Sequence, residues 1–152
     1  MARIREDPVL GQLVYDSSVD WWHAHVELRS GCLIDFDISA DNLGGPQIDT
    51  DDLIRRGVEY LAWAREAEPT VREKIADDLL GCHNDNWSSP EEDGLGPMSR
   101  SQFLERVTPH GITLNTDGSA DWYFDDGNLF AGHWIEVRVQ PDRAITEVGL
   151  AG

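Results

Sequence analysis

Ala120-Asp-Trp-Tyr-Phe-Asp-Asp-Gly-Asn-Leu-Phe-Ala-Gly-His-Trp-Ile-Glu-Val-Arg-Val139 reads as strand, acidic turn, strand, and Ile145 to Gly152 adds a further strand after another turn. Trp122 and Phe124 alternate with Asp121, Tyr123 and Asp125. Beyond the Asp125-Asp-Gly-Asn128 turn, His133, Ile135, Val137 and Val139 alternate with Gly132, Trp134, Glu136 and Arg138. Period two marks a strand with one buried face. A C-terminal β-meander is therefore expected, opened by Ile112 and Leu114 and by the turn signal Asn115-Thr-Asp-Gly-Ser119.

The same period recurs near the N-terminus. After a short strand at Gln12 to Tyr15, Trp22, Ala24, Val26 and Leu28 alternate with Trp21, His23, His25 and Glu27. Past Arg29-Ser-Gly31, Cys32, Ile34, Phe36 and Ile38 alternate with Leu33, Asp35 and Asp37. A two-residue turn would set Glu27 opposite Ile34 and mix the faces. A three-residue loop with Gly31 left-handed pairs Leu28 with Cys32, Val26 with Ile34, Ala24 with Phe36 and Trp22 with Ile38, which leaves one face wholly apolar. The other face then sets His25 opposite Asp35 and His23 opposite Asp37.

Between hairpin and meander the period becomes helical. Thr50 is expected as an N-cap with Asp51 and Asp52 in the first turn. Ile54, Val58, Leu61 and Ala62 form one stripe. Pro69 then opens a second helix with a stripe of Val71, Ile75, Leu79 and Cys82, stopping near Gly81 to Asn84. Ser99 and Gln102 match a capping box ahead of a short third helix containing Phe103, Leu104 and Val107. The order predicts one α+β domain over 1–152: an antiparallel sheet built from an N-terminal hairpin and a C-terminal meander, with two or three helices between them packed on one face. Phe36, Leu61, Ile75, Phe103 and Ile135 centre the apolar stripes and are the expected core.

Twelve basic against twenty-nine acidic residues give a net charge of −17, a field that repels nucleic acid and anionic membranes and draws cationic partners. No apolar run is long enough to span a bilayer and the N-terminus lacks a signal-peptide core, so a cytoplasmic protein is expected. Cys32 and Cys82 lack metal-ligand spacing and read as small apolar residues.

The common hydrolase, phosphate-loop and zinc-protease signatures are absent. The sharpest chemical pattern is the hairpin face, where His23, His25, Asp35 and Asp37 form a donor set suited to zinc or another divalent ion. The same pairs also form as ordinary cross-strand partners. His133 reads as a core histidine satisfied by one hydrogen bond. The Asp125-Asp126-Gly127 turn reads as conformational, and Asn84, Asp85 and Trp87 as the close of the second helix.

Asp125-Asp-Gly-Asn-Leu-Phe-Ala-Gly-His133, Ile135-Glu-Val137 and Ile145-Thr-Glu-Val-Gly-Leu-Ala-Gly152 resemble the end of the bacterial family called domain of unknown function 2262. Asp7-Pro-Val-Leu-Gly-Gln-Leu13, Asn84-Asp-Asn-Trp87 and Ser99 to Val107 resemble its other landmarks, so the likeness covers most of the chain. It implies no activity. The family usually carries a bulky aromatic where this chain has Ala131.

Two functional expectations follow. The first is a non-catalytic acidic protein that binds a basic protein partner such as a toxin, as the immunity proteins of bacterial toxin systems do. Its candidate contacts are Asp51 and Asp52 with the anchors Trp21 and Trp134; further acidic candidates are Asp49, Asp77 and Asp78, and Glu91, Glu92 and Asp93. The second is a small metal-dependent enzyme using His23, His25, Asp35 and Asp37.

Overall fold

A computed structural model describes residues 3–89 and 95–151; the acidic candidates Glu91, Glu92 and Asp93 lie outside the described residues. Eight strands form one open sheet in sequence order: β1 (Ile4–Asp7), β2 (Gly11–Asp16), β3 (Trp21–Arg29), β4 (Cys32–Ser39), β5 (Thr108–Leu114), β6 (Ala120–Asp125), β7 (Trp134–Val139) and β8 (Ile145–Ala151). Neighbours are antiparallel except β4 and β5, whose parallel pairing sets Phe36 beside Ile112 and Asp37 beside Thr113. The chain between them carries α1 (Thr50–Asn86) and α2 (Arg100–Arg106), as a parallel connection requires a crossover. The expected α+β architecture is present, with this one parallel seam added.

The hairpin register follows the argument from face purity. Val26 pairs with Ile34, Ala24 with Phe36, Trp22 with Ile38, His25 with Asp35 and His23 with Asp37. Gly31 is left-handed at φ 76°. The loop end departs from expectation: Arg29, not Leu28, faces Cys32, because a β-bulge between Glu27 and Arg29 takes up the extra residue. Leu28 thereby stays on the buried side. Strand β1 was not legible in sequence; Ile-Arg-Glu-Asp has neither alternation nor β propensity, and the short charged strand closes the sheet edge.

The two expected helices around Pro69 are one helix of 37 residues. Proline deletes a single amide donor, and Pro69 lies on the exposed side, where water can reach the freed Arg65 carbonyl. The buried stripe runs through it without a break: Leu61, Ala64, Glu68, Val71 and Ile75. The ion pair of Glu68 with Arg72 straddles it, and Arg72 also donates to the Leu104 carbonyl at 3.3 Å. Asp49 rather than Thr50 is the N-cap, and the helix ends at Asn86 rather than by Asn84. Ala62 is exposed, and Tyr60 takes the inward place expected of it. Ser99 and Gln102 form the expected capping box.

The five residues expected at the core centre, Phe36, Leu61, Ile75, Phe103 and Ile135, are all fully buried. Cys32 and Cys82 are free thiols, half-buried at the margin of the core. No helix among the described residues is long and apolar enough to cross a membrane.

Candidate functional site

Because side chains alternate across a strand, the register that buries Trp22, Phe36, Ile112, Trp122 and Val137 under α1 sends their neighbours to the opposite face, which no helix among the described residues covers. The rows of this open face follow from the pairing. One runs His23, Asp37, Thr113, Asp121, Arg138 and Glu147; the next runs His25, Asp35, Gly111, Tyr123, Glu136 and Gly149.

Histidine and aspartate pair as the hairpin register requires. His23 Nδ1 lies 2.5 Å from Asp37 Oδ1 and its Nε2 lies 3.5 Å from Asp16 Oδ2. Partial burial works against the imidazolium of His23, but Asp37 and then Asp16 outweigh it and raise its pKa. Burial raises the Asp37 carboxyl as well, against the pull of His23 and with the help of Asp35. The pair therefore holds a proton more firmly than either free side chain. His25 Nδ1 lies 2.9 Å from Asp35 Oδ1, and Asp35 Oδ2 lies 3.9 Å from His110 Nε2.

His110 had no sequence signal. It occupies the irregularity in β5 between Pro109 and Gly111, where a bulge re-aims a side chain. There its ring lies 4.5 Å from that of Trp134. At the other end, Trp21 meets His23 edge-on at 5.9 Å. Two sets that the sequence offered separately, Trp21 with Trp134 and the four His and Asp residues, thus share one face.

As a metal centre the arrangement is incomplete. Among the described residues no group of three or more His, Cys, Asp or Glu is arranged to hold a metal ion. Both nitrogens of His23 are already directed at carboxylates, so the aspartates act as its partners rather than as fellow ligands.

The acidity of this face concentrates over β6–β8. A groove of about 530 Å³ is lined by Asp121, Glu136, Arg138 and Glu147, with Gly149 leaving its floor open. Arg138 is engaged by Asp121 at 3.0 and 3.1 Å and by Ser119 Oγ at 3.0 Å. Burial, then Glu136 and Asp121, raise the Tyr123 pKa, so the local field is felt by a neutral neighbour.

The acidic candidates on the helices are differently placed. Asp51 pairs with Arg5, and Asp52 with Arg55 and Arg56; hydrogen bonding from Arg55 first, then both positive charges, holds Asp52 below the usual carboxylate range. Asp77 pairs with Arg100 and Asp78 with Lys74, while Asp49 is exposed. Asp51 and Asp52 are therefore not gathered with Trp21 and Trp134.

The landmark segments converge elsewhere, on Phe130. Its ring meets Trp87 at 5.7 Å, His83 at 5.7 Å and Phe103 at 6.3 Å, and Trp87 meets His133 at 5.5 Å. Asn84 acts both locally and at a distance: its Oδ1 lies 3.0 Å from His83 Nδ1, and its amide donates to the Met98 carbonyl at 3.0 Å and accepts from the Met98 N–H at 2.8 Å, tying α1 to the approach to α2. His133 precedes β7 instead of lying in it, with Nδ1 against the Phe130 carbonyl. Asp126 is buried and accepts from the N–H groups of Asn128, Phe130 and Gly132. Gly127 admits no side chain, because a Cβ would stand 2.5 Å from the Arg106 carbonyl. These segments make a structural joint.

Residues 7–150 match the family described as an uncharacterized protein conserved in bacteria, DUF2262, and the chain belongs to it. No curated protein and no solved structure matches the chain.

Proposed function

We propose that this member of the DUF2262 family is a non-catalytic binding protein whose open sheet face takes a basic protein partner, in the manner of an immunity protein that covers a toxin's cationic surface. The observation that carries the reading is the composition of that face. Trp21 and Trp134 stand on it at opposite ends of a His and Asp strip, beside a groove walled by Asp121, Glu136 and Glu147. Half-exposed aromatics supply contact area at small entropic cost, and carboxylates at the rim steer a cationic surface into register. Trp134 keeps 39% of its surface exposed, enough to gain from being covered.

The helix-side acids contribute less. Asp51, Asp52, Asp77 and Asp78 are each matched to a nearby guanidinium or ammonium group. The groove carboxylates share one arginine, so a lysine or arginine side chain of the partner completes their pairing.

The test is capture of the partner from the native cell, followed by hydrogen exchange of the complex. Slowed exchange is expected along β3, β4 and β6–β8, with a complex lifetime shortened by Trp21→Ala or Trp134→Ala. Protection confined to α1 would place the partner elsewhere and overturn the assignment of the open face, and stoichiometric zinc binding abolished by His25→Ala would instead favour the metal-dependent reading.

A further inference from the structure

On the helix-bearing side a second, smaller pocket of about 130 Å³ opens between α1 and the turns β5–β6 and β7–β8. It is lined by Arg56, Glu59 and Tyr60 of the helix, Asn115 of the first turn, and Pro141 and Arg143 of the second. Three observations converge on it. The Tyr60 side chain is fully buried and its oxygen accepts a hydrogen bond from Trp122 Nε1 at 2.8 Å. Burial, against the pull of Trp122 and Arg143, pushes the phenol up to about 12, so it keeps its proton at neutral pH. Among the described residues its one hydrogen bond is the one it accepts from Trp122, which leaves its own proton to be donated.

Arg143 is the second observation. Its guanidinium lies over the rings of Tyr60 at 4.6 Å and Trp63 at 4.9 Å and, among the described residues, forms no ion pair. Stacking uses the faces of the guanidinium and leaves its N–H edges to donate. Third, Arg143 sits at φ 75°, a left-handed conformation that disfavours a side chain and that glycine adopts freely in such a turn. The backbone is thus held where the arginine reaches the pocket.

The neighbouring charges do not fill this role. Arg56 pairs with Asp52 at 3.0 Å and donates to the Thr116 carbonyl at 3.1 Å, and Glu59 accepts from Arg55 at 3.0 Å. We propose that the pocket binds a small oxyanion, a carboxylate or a phosphate group, through the Arg143 guanidinium and the Tyr60 hydroxyl. Toward a ligand in the pocket both groups donate, the Tyr60 oxygen already accepting from Trp122, and a pocket of this size admits a ligand of a few heavy atoms. In a chain of net charge −17 such a site selects by local geometry against the global field.

The test is a titration of the purified protein with inorganic phosphate and, separately, with acetate, read by tryptophan fluorescence from Trp63 and Trp122. A saturable change is expected for at least one anion, and which one responds identifies the class. Arg143→Gly relaxes the backbone and should weaken binding about tenfold or more while leaving the fold intact, and Arg143→Lys should weaken it less. Arg100→Gln removes a remote positive charge and should leave it unchanged. No saturable change with either anion, or equal affinities for wild type, Arg143→Gly and Arg100→Gln, would overturn the proposal.

Discussion

Replacing Asp126 with alanine should destabilise the protein far more than the same change at its neighbour Asp125. The Asp126 carboxylate accepts three backbone hydrogen bonds, from Asn128 at 2.9 Å, Phe130 at 2.9 Å and Gly132 at 3.0 Å. The Phe130 amide is buried, and the other two are partly so. A buried donor left without an acceptor costs about 1–3 kcal/mol, and one that water reaches costs less, so the three together give about 2–5 kcal/mol. Asp125 is exposed and caps one amide, that of Gly127 at 2.8 Å, for about 0.5–1 kcal/mol. Urea denaturation of both variants measures the difference through the midpoint at constant slope. Hydrogen exchange should show the Phe130 amide losing protection in Asp126→Ala while the β3–β4 amides keep theirs. Equal midpoints for the two variants would refute the assignment of Asp126 as the organiser of the turn.

Two further outcomes concern the sheet and the helix. The pKa of His23 is raised in the folded protein, so the stability it lends is fully present below its unfolded pKa, about 6.5, and is lost as pH rises through the folded value. The melting temperature of the wild type should therefore fall relative to His23→Gln as pH climbs above neutrality, and an imidazole titration midpoint at or below 6.5 would contradict the pairing with Asp37 and Asp16. Pro69→Ala should restore the hydrogen bond to the Arg65 carbonyl and raise stability by about 1–3 kcal/mol, since the helix already runs through this position; a lowered melting temperature would show that proline relieves something at that turn.

What the sequence revealed and withheld follows from how local each signal is. The β3–β4 register was readable because one choice alone keeps Glu27 off the apolar face, and the cross-strand His and Asp pairs came with it. The parallel seam between β4 and β5 was not, because strand patterning carries no direction and the crossover joins segments about seventy residues apart. Pro69 misled because helix breaking was inferred from the residue alone, whereas the stripe of Leu61, Ala64, Val71 and Ile75 supplies tertiary burial that outweighs one missing hydrogen bond. His110 entered the open face through a bulge that no pattern announces. Asp126 shapes its turn locally, as expected of it, through the amides of Asn128, Phe130 and Gly132, whereas the bonds of Asn84 to Met98 became visible only with the chain folded. Trp21 and Trp134 could be chosen as outward aromatics, but their common face depended on the order of all the strands between them.

The central claim, that the open face carries the encounter with a basic partner, is tested most directly by association kinetics across a salt series. Wild type, Asp35→Lys/Glu136→Lys and Asp77→Lys/Asp78→Lys would be compared, the two double variants having the same change of charge in different places. The wild-type rate should fall steeply with added salt, as screening shortens the reach of the field to about 8 Å near physiological ionic strength. The open-face variant should associate about tenfold or more slowly, and the helix variant close to the wild-type rate. A rate indifferent to salt, or equal slowing by both double variants, would contradict the account.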